Sequence, residues 1–372
     1  MILPTSPDGS RCMQVIGQRL PAVVGLAAGV ALFAVIDSRF GMVEWACRQL
    51  GDRPAYGKEG GFVIPNPAAS IQALTAVNDH LIYAGTFGAG IYRSDNRGDQ
   101  WVAVNEGLSD PFVLSLATAQ DGTVYAGTFR GGVFRKKTAQ AGWEPINEGL
   151  KRLEVKALVV NHGQLFAGTG DGVYQTSEAS PKWSVVTTGL DDTLVHALAQ
   201  TKDGTLYAGT SGKGVMRFRK STPGWSRMRQ GLKDHEGLVE NFIRVITVDK
   251  DQELYIGTFD GGVFHSADRG ENWRPISRAL PNDSIRGIVV AGKTLIVATG
   301  RGIYKTDNKG QKWVPLNKGL TEQSIQSLVL SRNGTLYAGT NAGVFRSSDE
   351  GATWVGVSEG LRVEQEVPFT FQ

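Results

Sequence analysis

The strongest constraint on how this chain folds is a unit that recurs seven times. Each copy contains Tyr-Ala-Gly-Thr or a close variant, then a Gly-Val-Phe-like triplet and a tryptophan, and it ends in Gly-Leu or a variant of it. The tryptophans recur at intervals of 40–48 residues and are Trp101, Trp143, Trp183, Trp225, Trp273, Trp313 and Trp354. A fixed period of this length indicates a repeat architecture, in which copies of one supersecondary unit stack on each other.

The copy from Val195 to Leu232 indicates what each unit becomes. Three short runs alternate between apolar and polar residues, Gly- and Asp-containing turns separate them, and Trp225 opens a fourth run. Four antiparallel strands in about 40 residues are typical of a propeller blade. We therefore predict an all-β fold, a seven-bladed β-propeller of four-stranded antiparallel blades, whose ring closure removes exposed sheet edges. The innermost strands should begin at Ile71, Val113, Val155, Val195, Ile243, Ile285 and Ile325.

The rest of the chain divides around this ring. We predict a cytoplasmic segment at 1–19, a transmembrane anchor at 20–36, a linker at 37–70, the propeller at 71–361 and a tail at 362–372. Segment 62–64 of the linker, or the tail, could add a strand that fastens a terminal blade, although the repeats themselves run in phase without sharing a blade.

The anchor is predicted from an uncharged apolar run. Leu20–Ile36 is 17 residues long, which is at the short end for a membrane span. A cleaved signal peptide is the alternative, but no Ala-x-Ala-like site follows the run. Arg11 and Arg19 precede it, so the positive-inside rule places them in the cytoplasm and the propeller in the periplasm or a lumen.

Composition and motifs argue against several classes of function. The formal charge of +3 is too small to suggest a nucleic-acid partner. Cys12 and Cys47 flank the predicted span and the repeats contain no cysteine, so we expect neither a disulfide nor a thiolate metal site. The five histidines show no metal-ligand spacing, and there is no Gly-x-Ser-x-Gly motif. We expect no metal, no cofactor, no small-molecule substrate and no enzymatic activity, although paired loop carboxylates could still form a glycosidase site.

The second residue of each innermost strand supplies the main candidate binding residues. Equivalent positions in a closed ring lie on one circle, here near the mouth of the central channel. We call this set the mouth ring: Gln72, Leu114, Lys156, His196, Arg244, Arg286 and Gln326. Basic groups on one circle repel each other unless water or an anion lies between them. The set could be a basic funnel for a carboxylate, a phosphate or an acidic protein segment, or the ordinary polar lining of a water-filled channel.

Blade 4 carries a second basic cluster. Its candidate partner-binding residues are Arg217, Arg219, Arg227 and Arg229. Alternation places Arg217 beside Arg219 on one strand face, where like charges need a neutral or anionic cover. The cluster could contact an acidic partner or lipid headgroups, or it could be a solvated outer edge. The loop 233–240 is the longest between blades and is the loop most suited to binding.

Four blades carry a further motif before their tryptophan, Ser/Thr-x-Asp/Asn-x-Gly-x-x-Trp. Its copies begin at Ser94, Ser266, Thr306 and Ser347. The short polar side chain can bond the local backbone, and the glycine can adopt positive φ, so the motif predicts a rigid hairpin turn. It resembles the Asp-box of BNR-repeat propellers, in which this turn is structural.

With its single ring of seven blades and its targeting segment, the chain is similar to the photosystem II stability/assembly factor-like family. The resemblance implies a membrane-anchored propeller that binds subunits of a membrane protein complex, as an assembly or stability factor or as an accessory subunit. The alternative is an extracellular Asp-box propeller that binds or cleaves glycans. Fold alone does not decide between these functions.

Overall fold

Seven four-stranded antiparallel sheets follow one another along residues 71–356. The structure, a computed structural model, describes residues 70–137, 142–186, 188–222, 224–232, 242–281 and 284–361, together with the backbone of 55–56 and 62–63. No helix among these residues is long and apolar enough to cross a membrane. The predicted anchor at 20–36, the loop at 233–240 and the tail at 362–372 lie outside the described residues.

The strands follow the repeats closely. Blade 1 contains β3 (Ile71–Ala76), β4 (Ile82–Thr86), β5 (Ile91–Ser94) and β6 (Val102–Ala103); blade 2 contains β7 (Val113–Thr118), β8 (Val124–Thr128), β9 (Val133–Lys136) and β10 (Glu144–Pro145). Blade 3 contains β11 (Val155–Asn161), β12 (Gln164–Thr169), β13 (Gly172–Ser177) and β14 (Ser184–Val185); blade 4 contains β15 (Val195–Gln200), β16 (Leu206–Thr210), β17 (Val215–Phe218) and β18 (Trp225–Met228). Blade 5 contains β19 (Ile243–Val248), β20 (Leu254–Thr258), β21 (Val263–Ser266) and β22 (Arg274–Pro275); blade 6 contains β23 (Ile285–Ala291), β24 (Thr294–Thr299), β25 (Gly302–Thr306) and β26 (Val314–Pro315). Blade 7 contains β27 (Ile325–Leu330), β28 (Leu336–Thr340), β29 (Gly343–Ser347) and β30 (Val355–Gly356).

The predicted seven-bladed β-propeller is confirmed. Every blade pairs its four strands in sequence order, and all seven innermost strands begin at the predicted residues. Two short strands precede the blades: β1 (Ala55–Tyr56) pairs antiparallel with β2 (Phe62–Val63). The linker strand at 62–63 therefore pairs with 55–56.

The hydrophobic core is divided among the seven blade interfaces. Each of seven clusters joins residues of two neighbouring blades, including the pair formed by blades 7 and 1. Six of the repeat tryptophans are buried in these clusters. At five of them the indole Nε1 donates a hydrogen bond to a carbonyl of the preceding blade, as from Trp101 to Val357 O at 2.7 Å. The tryptophan thus seals the gap between adjacent blades.

Trp225 departs from this pattern. Its side chain is only partly buried, and its Nε1 has no hydrogen-bond partner among the described residues. Its ring packs against Phe218 of its own blade, with centroids 5.6 Å apart, at the edge of the cluster between blades 3 and 4. Trp225 is therefore a partly buried member of the cluster between blades 3 and 4, unlike the six buried tryptophans.

This difference predicts unequal effects of one substitution at two sites. Trp101→Phe leaves the buried carbonyl of Val357 without its donor, which costs about 1–3 kcal/mol of unfolding free energy beyond the loss of packing. Trp225→Phe removes no hydrogen bond to a described residue, and we expect it to cost less. Urea unfolding of both variants checks this, and equal losses would contradict it.

The four Asp-box-like turns share one set of hydrogen bonds. In the first, Gly98 N donates to Ser94 Oγ at 2.8 Å, and Gln100 N donates to Asn96 Oδ1 at 2.9 Å. The same pattern recurs in the turns that begin at Ser266, Thr306 and Ser347. These local bonds make each motif a closed hairpin turn, as expected from its residue types.

The first and last blades close the ring by packing, without exchanging a strand. Trp101 N donates to Glu359 O at 2.8 Å, and Arg346 Nη1 lies 2.8 Å from Asp99 Oδ1. Ser327 Oγ of blade 7 also donates to Ile71 O of blade 1. The contacts between blades 7 and 1 are of the same kind as those at the other interfaces.

Candidate functional site

The mouth ring coincides with seven β-bulges. In each blade the pairing of the innermost strand with its neighbour shifts register between the first and third residues. The residue between them is the ring residue, and all seven ring residues are partly buried. A bulge leaves one residue out of the ladder and re-aims its side chain. The backbone thus presents the seven ring side chains equivalently.

The loops between the second and third strands lie at the same end as the mouth ring. Ser211, in the β16–β17 loop, has its Oγ 2.6 Å from His196 Nε2. At the opposite end, the Asp-box turn of blade 5 reaches the β15–β16 turn of blade 4, where Arg269 Nη1 lies 2.8 Å from Asp203 Oδ2. The mouth ring and the Asp-box turns therefore occupy opposite ends of the blades.

Amide and hydroxyl groups link blades 7 and 1 at the mouth. Gln72 Nε2 donates to Ser70 Oγ at 2.7 Å, and Ser70 Oγ donates to Asn341 Oδ1 at 3.2 Å. Gln326 Nε2 donates to the same Asn341 oxygen at 2.9 Å, and Asn341 Nδ2 donates to Ser324 Oγ at 3.3 Å. This network holds Gln72 and Gln326 in place, so they act as a supporting polar arc.

The two ring arginines each reach toward the next blade. Arg244 Nη1 donates to Ser284 Oγ at 3.4 Å, and its guanidinium carbon lies 4.7 Å from the centre of the Phe259 ring. Arg286 Nη1 donates to Ser324 Oγ at 3.2 Å and to Ile325 O at 3.5 Å. A stacked or hydrogen-bonded guanidinium loses little freedom when it binds a carboxylate, because its planar fork is already oriented.

Arg286 carries a charge that no described carboxylate pairs with directly. Its Nε is buried without a hydrogen-bond partner, and none of the described carboxylates forms an ion pair with it. Burial lowers the pKa of its guanidinium, and the charge of Glu322 opposes that shift only in part. An unpaired, partly buried cation is destabilising, so an anion bound at this position would relieve its cost.

Lys156 and His196 complete the basic part of the ring. Lys156 Nζ lies 3.3 Å from Glu154 Oε1, so part of its charge is compensated. The pKa of His196 is held well below its usual range, mainly by burial and further by the positive charges of Lys156 and Arg244. His196 is therefore neutral at pH 7 and can exchange a hydrogen bond with Ser211.

The lowered pKa of His196 predicts acid-sensitive stability. Above about pH 6.5 the His196 imidazole is neutral in both the folded and the unfolded chain. Below this pH the unfolded chain binds a proton before the folded chain does. The unfolding free energy therefore falls as the pH is lowered. A histidine that remains neutral in the folded chain contributes about 1.4 kcal/mol of this loss at pH 5.5. His196→Gln, which copies the side chain of Gln72 and Gln326, should reduce the fall in unfolding free energy between pH 7.5 and 5.5. An unchanged fall in urea unfolding would contradict the assignment.

Phenylalanines flank the mouth ring at blades 1, 2 and 5 and were not identified from the sequence. Phe87, Phe129 and Phe259 directly follow second strands, whereas Phe112 and Phe242 precede innermost strands. All five are partly buried. The phenylalanine that follows the Gly-Thr pair in three repeats was the available signal. The repeat alone does not show that these phenylalanines lie near the binding residues, because only the folded ring brings them beside the bulges.

The blade 4 cluster does not form a single surface. Arg217 is buried, and its Nη1 lies 2.6 Å from Glu271 Oε1 and 3.2 Å from Arg269 O of blade 5. Arg219 is partly buried, while Arg227 in the fourth strand and Arg229 directly after it are exposed. The guanidinium of Arg217 thus joins two blades, which separates it from the other three residues.

A groove of about 750 Å³ lies at the Asp-box end of blades 3, 4 and 5. Arg219 and Lys220 line it together with Lys202 and Arg269, and Asp203 is the acid among its lining residues. Among the described residues, no group of three or more His, Cys, Asp or Glu side chains could hold a metal ion.

Neither family models nor curated proteins match this chain. Solved structures do match its fold. One is YCF48 bound to a D1 peptide; it is 14% identical with a TM-score of 0.61, and the match covers 76% of this chain and 92% of that one. A second is the extracellular domain of the putative hybrid two-component system BT3049 from B. thetaiotaomicron, 21% identical with a TM-score of 0.65.

The match to the BT3049 domain covers 77% of this chain but only 40% of that extracellular domain. A third similar structure is the GH74 enzyme of Niastella koreensis, 13% identical with a TM-score of 0.65, matched over 79% of this chain and 55% of the enzyme. At these identities the similarity shows the fold alone. The three structures are a peptide-bound protein, the extracellular domain of a putative two-component system and an enzyme, so similar rings occur in proteins of different kinds.

Proposed function

We propose that this chain is a membrane-anchored propeller, facing the periplasm or a lumen, that binds a protein partner through the mouth ring. It acts as an assembly or stability factor, or as an accessory subunit, of a membrane protein complex. The partner supplies an acidic segment, the ring supplies Arg244 and Arg286, and the chain performs recognition without catalysis. The observation that carries this proposal is the largely buried guanidinium of Arg286, whose Nε has no hydrogen-bond partner and which forms no ion pair with a described carboxylate.

Three further points support a peptide-like ligand. Arg244 is stacked on Phe259, so its planar fork is oriented before a carboxylate arrives. The polar arc from Ser324 to Gln72 offers hydrogen-bonding side chains of the kind that a peptide backbone can use. The similar YCF48 structure contains a bound peptide, which indicates that a ring of this kind can bind such a ligand.

The experiment that tests the proposal is extraction of native membranes with mild detergent, followed by size separation and mass spectrometry. We expect the detergent to release the chain from the membranes, and the released chain to migrate in a large complex with defined membrane subunits. Migration of the chain alone would contradict the proposal. Its presence in the soluble fraction before detergent is added would contradict the anchor.

A glycan-binding or glycan-cleaving function is the second candidate, and the similar GH74 enzyme favours it. A retaining or inverting glycosidase needs two carboxylates about 5–10 Å apart beside the bound sugar. A glycan array separates the two candidates. The glycan function would be favoured if the chain binds a defined glycan, loses this binding when acidic loop residues are substituted, and keeps it when Arg244 is substituted.

A further inference from the structure

The mouth ring has two chemically different sides. In a ring of seven, the position opposite blade 2 lies between blades 5 and 6. Blade 2 supplies Leu114, which is the only apolar member of the ring, whereas blades 5 and 6 supply Arg244 and Arg286. The apolar residue therefore lies across the channel mouth from the two arginines.

Aromatic side chains extend the apolar side around Leu114. Phe112 is two residues before it, and the Phe87 ring packs edge-on against Phe112 with centroids 4.9 Å apart. Phe129 N donates a hydrogen bond to Phe112 O at 2.9 Å, which holds the backbone of Phe129 next to that of Phe112. All four side chains are partly buried, so each still presents some surface. We call Phe87, Phe112, Leu114 and Phe129 the apolar sector.

We propose that the mouth ring binds an amphipathic segment of the partner protein. Its carboxylates lie toward Arg244 and Arg286, and a bulky apolar side chain lies against the apolar sector. This inference rests on the proposed function and specifies its ligand. An acidic segment without apolar side chains would leave the exposed parts of Phe112 and Leu114 in water, and an apolar segment without acids would leave Arg286 without a direct ion-pair partner among the described residues.

Selection from a displayed library of random short peptides, with the full-length chain as bait, tests the ligand chemistry. We expect enriched peptides to contain both acidic residues and Leu, Phe, Ile or Met. Enrichment of acidic residues alone would overturn the amphipathic ligand but leave the proposed function intact. Enrichment without acidic residues, or no enrichment over a blank surface, would overturn both.

A comparison of two peptides and two protein variants tests where each part binds. One selected peptide is synthesised in parallel with an analogue whose apolar residue is replaced by serine. Leu114→Gln is well matched to the fold, because Gln72 and Gln326 already occupy equivalent bulges. Fluorescence anisotropy should show that the wild-type chain binds the apolar peptide about tenfold more tightly than the analogue, and that Leu114→Gln removes this ratio.

The second variant separates the two possible failures. Arg286→Gln should weaken both peptides by about tenfold or more, since each loses a charge-assisted hydrogen bond. If Leu114→Gln keeps the tenfold ratio, the position of the apolar side chain is wrong. If Arg286→Gln leaves both affinities unchanged, the mouth ring is not the acidic-segment site, and the proposed function fails with it.

Discussion

Replacing Arg244 and Arg286 together with glutamate should abolish partner binding and leave the ring folded. Each arginine can offer a carboxylate charge-assisted hydrogen bonds worth about 1.5–3 kcal/mol, so losing two of them weakens binding at least 100-fold. The reversed charges then repel the acidic segment as well. Arg286 forms no ion pair with a described residue, so its replacement breaks no internal salt bridge of the described fold.

The matched control is the double change of Lys312 and Arg332 to glutamate. It alters the net charge by the same amount, but these exposed residues lie in the Asp-box turn of blade 6 and the β27–β28 turn of blade 7, at the opposite end from the mouth ring. Partner capture by each purified variant, together with its thermal unfolding, gives the comparison. Equal capture by the wild-type chain and a folded mouth-ring variant would disprove the proposed site. Equal loss in both variants would show a general charge effect.

Substitution of Gly360 by alanine should open the ring between blades 7 and 1. Gly360 has a φ of 87°, and an added Cβ would overlap the carbonyl oxygen of Trp101 in blade 1. Since Trp101 N is bonded to Glu359 O at the same place, relief of the overlap requires the two blades to separate. We expect an unfolding free energy lower by about 3–5 kcal/mol, the range of severe backbone or packing disruption.

Gly334→Ala provides the control for backbone strain. Gly334 lies in the β27–β28 turn of the same blade and also has a φ of 87°, but no atom lies within 4 Å of its added Cβ. Only the left-handed backbone is then penalised, at about 1–2 kcal/mol. Thermal and urea unfolding should show that the Gly360→Ala variant is much less stable than the Gly334→Ala variant. Similar stabilities would mean that the closure between blades 7 and 1 contributes little to folding.

Most of the fold could be predicted from local sequence. All seven innermost strands begin where the repeat places them, because strand alternation and turn residues are encoded by neighbours in the chain. The Asp-box turns were equally predictable, since their hydrogen bonds join residues two to four positions apart. The exception is Trp225, whose burial depends on how closely blade 3 approaches blade 4.

The candidate site was less accessible to sequence reasoning. The mouth ring positions follow from the repeat, but the bulge that re-aims each side chain appears only when two strands pair. Arg217 and Arg286 look alike in sequence, yet Arg217 is paired with Glu271 of the next blade, and Arg286 forms no such pair with a described residue. Their partners lie about one repeat away along the chain, so the environment of each charge is set by blade packing.

The chain's own residue order dictates seven blades, four strands in each and a tight turn at each Asp-box, because these features depend on short-range periodicity and backbone preferences. Closing the ring dictates everything that depends on distant residues. It brings Trp101 against blade 7, places Phe112 beside Phe87, and sets Leu114 across the mouth from Arg244 and Arg286. The physical reason is that side-chain burial and charge pairing are properties of the blade interfaces, which exist only after the repeats have packed together.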